Sequence, residues 1–295
     1  MKSLADASAI RDHVLTQFEL ADADPTLIDR GALTVVIAGG GPTGVELAGG
    51  MIELFSMVLV KDFPHLDVAR ARVVLVEATD HLLAAFHPNL SETAKRTLES
   101  RGVEVLTETA VAEVTAESVR FADGRVIPTA TMIWAAGVKA NPIGATLGVE
   151  LTKGGRVAVA DDLSLPGHPE VFVVGDLAAS RSTDGAVLAQ VAPVAMQGAA
   201  HAARQIGAQL AGRPTKAFRY LDKGSMATIG RRRAVAELPG GIRLTGTIGW
   251  LSWLALHLYM LIGFRNRLNV LVNWAWNYVT YDRASRIVTG PREAP

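Results

Sequence analysis

Residues 26–48 read TLIDRGALTVVIAGGGPTGVELA, and this stretch decides the fold. Residues 33–38 (LTVVIA) form a short, continuous, β-branched apolar run, the pattern of a parallel strand buried on both faces. Gly39, Gly41 and Gly44 follow as G-x-G-x-x-G, and a helix is expected from about residue 43 to residue 60. A lone glycine triplet is weak evidence; one that closes a strand and opens a helix has the context a dinucleotide loop needs. The first glycine permits the tight turn, the second lets backbone approach a pyrophosphate, and the third lets the helix pack on the strand. The helix N-terminus favours the phosphate charge. The alternative is a strand-to-helix turn without a ligand.

Such a loop calls for a carboxylate at the end of the next strand. Residues 70–78 (RARVVLVEA) supply that strand, and Glu77 stands at its end. It lies further from the loop than the usual ~20 residues, which a long first helix or an insertion near 60–70 would explain. A carboxylate there accepts hydrogen bonds from a ribose diol and repels a 2′-phosphate, favouring NAD(H) over NADP(H). Glu46, two residues past the last glycine, is expected in the first helical turn, where it complements the dipole and points toward the cofactor cleft.

The surrounding pattern extends the unit. A third helix, capped by Asn89 or Ser91, is expected to run to about residue 100, with Gly102 ending it. Short strands follow at VEVLTE, AVAEV, SVRF and RVI, with a turn at FADGRV (121–126), and TATMIWAAG (129–137) ends another strand in glycine. The order β-α-β-α-β from residue 33 to about 141 predicts an α/β, doubly wound nucleotide-binding domain. Beyond it come an apolar strand running into Gly175-Asp176, a helix over 192–212, and a hairpin within 220–238.

Composition narrows the chemistry. The 295 residues contain no cysteine, which removes redox dithiols, thiolate nucleophiles and iron–sulfur ligation. The seven histidines form no close ligand pair, so no metal site is expected. The first twenty residues lack the apolar core of a secretory signal. Net charge is zero but uneven: residues 1–212 carry a net −9 and residues 213–295 a net +9. The basic part also holds four of the five tryptophans and all four tyrosines, a composition suited to an anionic surface.

Residues 248–264 form a nearly unbroken apolar run, about 25 Å if helical, at the short limit for crossing a bilayer. Asn266, Asn269, Asn273 and Asn277 then recur as a polar stripe opposite Leu268, Leu271, Val272, Trp274 and Trp276. That arrangement predicts helices lying in the interface, with a short transmembrane helix or a protein–protein interface as alternatives. The triple arginine at 231–233 lacks any nucleic-acid recognition motif around it, and no nucleic-acid partner is expected.

In order along the chain, GGGPTGVELAG, DF-x-x-x-D, VVLVEA, WAAGV, VFVVGDLA, AP-x-A-x-Q, DKG-x-MA-x-IG and W-x-x-W-x-x-x-H-x-x-x-LIGF-x-NR resemble the type II NADH dehydrogenases. The resemblance covers essentially the whole chain. It implies the two-dinucleotide-domain flavoprotein fold, in which an NADH-binding Rossmann-like domain is inserted into a FAD-binding domain whose own glycine loop comes first. The loop at Gly39 would be the second of the two, so the chain is expected to be the C-terminal two-thirds of such an enzyme, with an incomplete FAD domain. The implied organisation is a linking helix of the FAD domain over 1–30, the NADH domain over 31–142, the returning FAD part over 143–217, a β-hairpin over 218–245 and membrane-anchoring helices over 246–295.

The resemblance also implies site roles. Gly39, Gly41, Gly44 and Glu77 would hold NADH, Glu46 would sit near the nicotinamide, and Ala136 and Gly137 would line the nicotinamide side of the cleft. Asp176 would hydrogen-bond a ribityl or ribose hydroxyl of FAD. The helix beginning near Pro193 would direct its N-terminus at the flavin's pyrimidine edge; many relatives carry Gln at that position, which leaves Gln197 as the quinone-side candidate. Lys223 resembles a residue near the flavin. The implied activity is hydride transfer from NADH to FAD and electron transfer to a membrane quinone. Residues 246–285 would contact the cytoplasmic face of the membrane, and a homodimer stays open. The rivals are another NAD(P)H-dependent FAD oxidoreductase and a catalytically inactive, membrane-attached NAD-binding module.

Overall fold

The computed structural model describes residues 3–280, with side chains through 276. The chain falls into two compact units: the first joins everything up to Ala136 with everything from Gly224 onward, and the second is Gly137–Lys223.

The first unit opens with α1 (Leu4–Ala23), capped by Ser3 in a reciprocal capping box with Asp6. Its inner face, Val14, Leu15, Phe18 and Ala21, is buried. β1 (Thr34–Ala38) is buried at every position and runs parallel to both β2 (Arg72–Val76) and a later strand. Between β1 and β2 lies α2 (Pro42–Glu53), which continues through a π-helical turn, Leu54–Leu59, to Asp62. This extension and the short helical turn Val68–Arg70 account for the wide spacing between the glycine loop and Glu77. The continuous helix Pro42–Asp62 is long and apolar enough to cross a membrane. Here it packs Val45, Ala48, Met51, Ile52, Phe55 and Leu59 into the protein core.

α3 (Pro88–Glu99) starts two to four residues earlier than expected from the sequence. His87, not Asn89 or Ser91, is its cap, because Pro88 fits the first helical position and needs no N–H acceptor. β3 (Val103–Leu106) pairs with β2. β4 (Val111–Val114), β5 (Ser118–Phe121) and β6 (Val126–Pro128) form a separate antiparallel meander. Its Val119, Phe121 and Ile127 cover Val36, Val74 and Val76 on one face of the parallel sheet. β7 (Thr131–Trp134) then returns beside β1, giving the parallel order β3-β2-β1-β7. Strand order therefore reverses between β1 and β7, and the crevice at the carboxyl end of such a switch is where α/β sheets bind ligands.

The second unit holds two short antiparallel pairs, β8 (Leu151–Thr152) with β9 (Arg156–Val157) and β10 (Ser164–Leu165) with β11 (His168–Phe172). The apolar strand expected to run into Gly175-Asp176 stops at Phe172, and a 3-10 turn, Gly175–Leu177, follows. α4 (Ala192–Leu210) completes the unit.

From Gly224 the chain rejoins the first unit. The expected hairpin is a three-stranded antiparallel meander of β12 (Ser225–Thr228), β13 (Ala234–Leu238) and β14 (Ile242–Thr245). The Gly240-Gly241 pair, both at positive φ, makes the second turn that brings β14 back along β13. α5 (Gly246–Met260) and α6 (Phe264–Thr280) follow. The apolar run 248–264 is therefore not one helix. Leu261 takes extended backbone and Gly263 a left-handed conformation, so α5 stops at 15 residues, about 22 Å, short of a ~30 Å hydrocarbon core.

Candidate functional site

Gly39 has φ +112, and a side chain there would sit 2.6 Å from the Ala136 nitrogen, so only glycine lets β1 turn this close to the end of β7. A Cβ on Gly44 would overlap the Gly39 carbonyl oxygen, which fixes how tightly α2 seats on the loop. Gly41, the N-cap residue of α2, has open space where a side chain would lie and provides no side-chain cap. The first turn of α2 thus presents its N–H groups outward without a side-chain acceptor, the arrangement that receives phosphate oxygens.

Glu77 closes the other side of the loop. Its Oε2 accepts the Gly40 N–H at 2.6 Å, and its Oε1 accepts the Thr79 N–H at 2.9 Å and the Thr79 hydroxyl at 3.0 Å. Partial burial pushes the carboxyl up, but these hydrogen bonds outweigh it and hold the group below the ordinary glutamate value. The side chain is therefore an anion fixed at the mouth of the glycine loop, with remaining lone pairs able to accept from hydroxyls. Gly39, Gly41, Gly44, Glu77 and Ala136 all meet at this one corner of the sheet.

Glu46 is placed differently from the sequence reading. With α2 starting at Pro42, Glu46 lies beyond the first turn, and the dipole stabilisation expected there does not apply. Its Oε1 instead accepts the Thr228 N–H of β12 at 3.1 Å and the Thr228 hydroxyl at 3.4 Å. Desolvation raises its carboxyl above the ordinary value, against the lowering effects of the Thr228 hydrogen bonds and of His257. Glu46 lines a cavity of about 340 Å³ together with Glu53, Thr228, Trp250, Trp253 and Trp274. Glu53, seven residues along the same helix face, accepts from Arg101 at 2.5 Å and from the Arg231 N–H at 2.6 Å.

In the second unit, Gly137 opens the segment at φ +72. Asp176 sits in the Gly175–Leu177 turn, and its carboxylate has no hydrogen-bond partner among the described residues. The turn is braced on two sides: Gln190 Nε2 donates to the Asp176 carbonyl at 2.9 Å, and the buried Arg156 donates through Nε (3.0 Å) and Nη2 (2.5 Å) to the Ala178 carbonyl. Pro193 lies in the first turn of α4, whose N-cap residue Val191 gives no side-chain cap. Gln197 is engaged at both ends of its amide, donating to the Leu221 carbonyl at 2.9 Å and accepting the Leu221 N–H at 3.0 Å. Lys223 is exposed.

Sequence reasoning missed Thr79 and Thr228 as partners of the two glutamates, and the tryptophan-lined cavity. The i, i+7 spacing of Glu46 and Glu53 on one helix was the available signal that both face the same neighbour.

Two family patterns cover the chain. Residues 2–204 match the pyridine nucleotide-disulphide oxidoreductases, and residues 223–280 match the NDH2 C-terminal domain. The chain belongs to the pyridine nucleotide-disulphide oxidoreductase family. It is 40% identical over 304 residues to the type II NADH:quinone oxidoreductase Ndh of Mycobacterium tuberculosis, a match that takes in 98% of this chain and 64% of that protein. NdhA of the same organism is 38% identical, with 98% and 63% covered. An internal alternative NAD(P)H-ubiquinone oxidoreductase of Arabidopsis thaliana is 29% identical, with 97% and 59% covered. The chain thus spans a little under two thirds of these relatives' length. Among solved structures, NDH2 of Plasmodium falciparum in complex with NADH superposes with a TM-score of 0.84 at 17% identity, over 98% of this chain and 74% of that one, a likeness of fold.

Proposed function

We propose that this chain acts in NADH:quinone oxidoreduction, binding NADH at the Gly39–Gly44 loop and FAD in part through the second unit, with the C-terminal helices resting on a membrane. The observation that carries the reading is the glycine corner itself. Gly41 leaves the start of α2 open to a pyrophosphate, and Glu77 is tied by Gly40 at the place where an adenosine ribose would lie. FAD and NADH, when bound, would supply the redox chemistry between the nicotinamide and a quinone, and the residues of this chain would hold and orient them.

The residues present fit both groups. For NADH, the uncapped first turn of α2 takes the diphosphate, Glu77 takes the ribose hydroxyls, and the backbone at Ala136 borders the nicotinamide side. For FAD, the Asp176 carboxylate, which takes no hydrogen bond among the described residues and lies in the field of Arg156, suits a sugar-alcohol hydroxyl, and the uncapped start of α4 suits the electron-rich edge of a flavin. Gln197 spends its amide on Leu221, which supports a bracing role more than a quinone contact.

The tail supports membrane attachment. α5 is apolar apart from Thr247, Ser252 and His257, and Ile248, Leu251, Tyr259 and Met260 are exposed. A largely apolar helix with an exposed side is suited to lipid, and a quinone is itself lipid-soluble. The test is titration of the purified chain with NADH and with FAD, followed by flavin absorbance and NADH consumption in the presence of a short-chain quinone. NADH binding with flavin uptake and quinone-dependent turnover supports the reading. A colourless protein that binds NADH and never takes up flavin would reduce it to an NAD-binding module.

A further inference from the structure

Glu77 stands one residue past β2, and residues 77–83 are stitched back onto the glycine loop. Gly40 spends both of its backbone groups there. Its N–H donates to Glu77 Oε2 at 2.6 Å, and its carbonyl accepts the Leu83 N–H at 2.8 Å. A side chain on Gly40 would meet the Leu82 side chain at 2.5 Å, so the two segments lie in direct contact. Leu82 and Leu83 are buried in the main core and anchor the far end of the segment.

Thr79 holds the other half of the glutamate. Its N–H donates to Glu77 Oε1 at 2.9 Å and its hydroxyl donates to the same oxygen at 3.0 Å. The hydroxyl also lies 3.2 Å from the His81 carbonyl; its single proton favours the nearer, anionic oxygen. The backbone that carries Thr79 is itself fixed. Its carbonyl accepts the Glu108 N–H at 2.8 Å, and the Thr109 N–H donates to the Glu77 carbonyl at 2.9 Å. The hydroxyl is therefore a preset donor. Thr79 is exposed, so its contact with Glu77 is not a by-product of core packing.

With Oε2 tied to Gly40 and Oε1 tied to Thr79, the carboxylate cannot turn without giving up hydrogen bonds made by an ionised group. Partial burial works against its charge, and the bonds from Thr79, Gly40 and Ala78 outweigh that. A 2′-hydroxyl gains from a carboxylate already in place. A 2′-phosphate would drive an unanchored carboxylate away and so escape most of its repulsion; an anchored one cannot yield.

We propose that Thr79 is a positioning residue that sets the preference for NADH over NADPH by locking the Glu77 carboxylate against rotation. This rests on the reading of Glu77 as the ribose ligand and adds to it the group that keeps the carboxylate from moving aside.

The test is calorimetry of the purified full chain with NADH and with NADPH. Thr79→Val removes the hydroxyl and keeps the shape. NADH binding is expected to weaken about threefold, since the freed side chain must be ordered on binding. A carboxylate that turns from about 5 Å to about 8 Å from a 2′-phosphate loses roughly a third of the repulsion, about threefold in NADPH affinity. The ratio of the two dissociation constants should therefore move toward NADPH by about fivefold to tenfold. Thr79→Ser keeps the donor and should restore both constants. In an E77Q background no charge remains to be positioned, and adding T79V should leave the ratio where E77Q put it.

A T79V ratio within about twofold of the unmodified chain overturns the proposal and leaves Glu77 as the ribose ligand. A shift of the same size in both backgrounds also overturns it, because Thr79 would then act through the shape of the loop. If T79V does not fold, Thr79→Ala, which lacks the same hydroxyl, decides by the same ratio. If E77Q alone leaves the ratio unchanged while NADH still binds, the ribose reading of Glu77 fails and the proposal falls with it.

Discussion

Replacing Glu77 by glutamine removes one charge at the mouth of the glycine loop with almost no change of shape. In the native protein the two carboxylate oxygens serve the Gly40 N–H at 2.6 Å and the Thr79 N–H and hydroxyl at 2.9 and 3.0 Å. Glutamine has one oxygen for these donors, so one side of the loop loses its acceptor, at a cost of about 1–3 kcal/mol in stability. The effect on selectivity is separate. A 2′-phosphate about 5 Å from the carboxylate meets ~3 kcal/mol of repulsion per phosphate charge at an effective dielectric near 20. Glu77 is partly exposed, so water and salt reduce that to about 1.5–2 kcal/mol, or ten- to thirtyfold in affinity. The carboxyl is held below its ordinary value, so it is fully ionised at neutral pH and the whole effect is available there. Isothermal titration calorimetry with NADH and NADPH measures it directly. The ratio of their dissociation constants should move toward NADPH by about tenfold or more. A ratio that stays within about twofold of the unmodified chain, with NADH still bound, would show that Glu77 does not face the ribose.

Four further outcomes are expected. Gly44→Ala forces a methyl into the Gly39 carbonyl and should abolish NADH binding, read by the same calorimetry, while the C-terminal meander stays folded by circular dichroism. Glu46 has a raised carboxyl, so its ionisation penalty is absent below the ordinary value of 4.5 and grows as the pH rises through the raised one. Glu46→Gln should therefore increase the melting temperature at pH 7.5 and leave it unchanged near pH 4; a variant melting lower at pH 7.5 would contradict the desolvation account. Glu53→Ala leaves the Arg101 guanidinium without its carboxylate and the Arg231 N–H without an acceptor, and should cost about 3 kcal/mol in denaturant unfolding, part of it recovered by adding Arg101→Met. Truncation before Thr245 should release the chain from membranes in a flotation assay; full retention would place the attachment elsewhere.

What the sequence determined by itself is local. Residues 33–38 are β-branched and uniformly apolar, so they could only be an interior strand, and the glycines that follow have one stereochemical use at a strand end. From these the glycine corner, Glu77 and the parallel unit were legible, because each depends on neighbours close along the chain or on a repeating period. Motif order supplied the family, and the match over 2–204 and 223–280 agrees with it.

What only the tertiary structure decided are the partnerships formed across long separations. Glu46 faces Thr228, 182 residues away, and not the loop beside it, because β12 packs against that flank of α2. Glu53, Arg101 and Arg231 meet from three separate segments. The apolar run 248–264 reads as one helix in composition yet breaks at residues 261–263, where Leu261 takes extended backbone and Gly263 a left-handed turn. Periodicity records which face of an element is apolar; it carries no record of which other element that face meets. Burial, and with it the charge state of Glu46, is a property of that meeting.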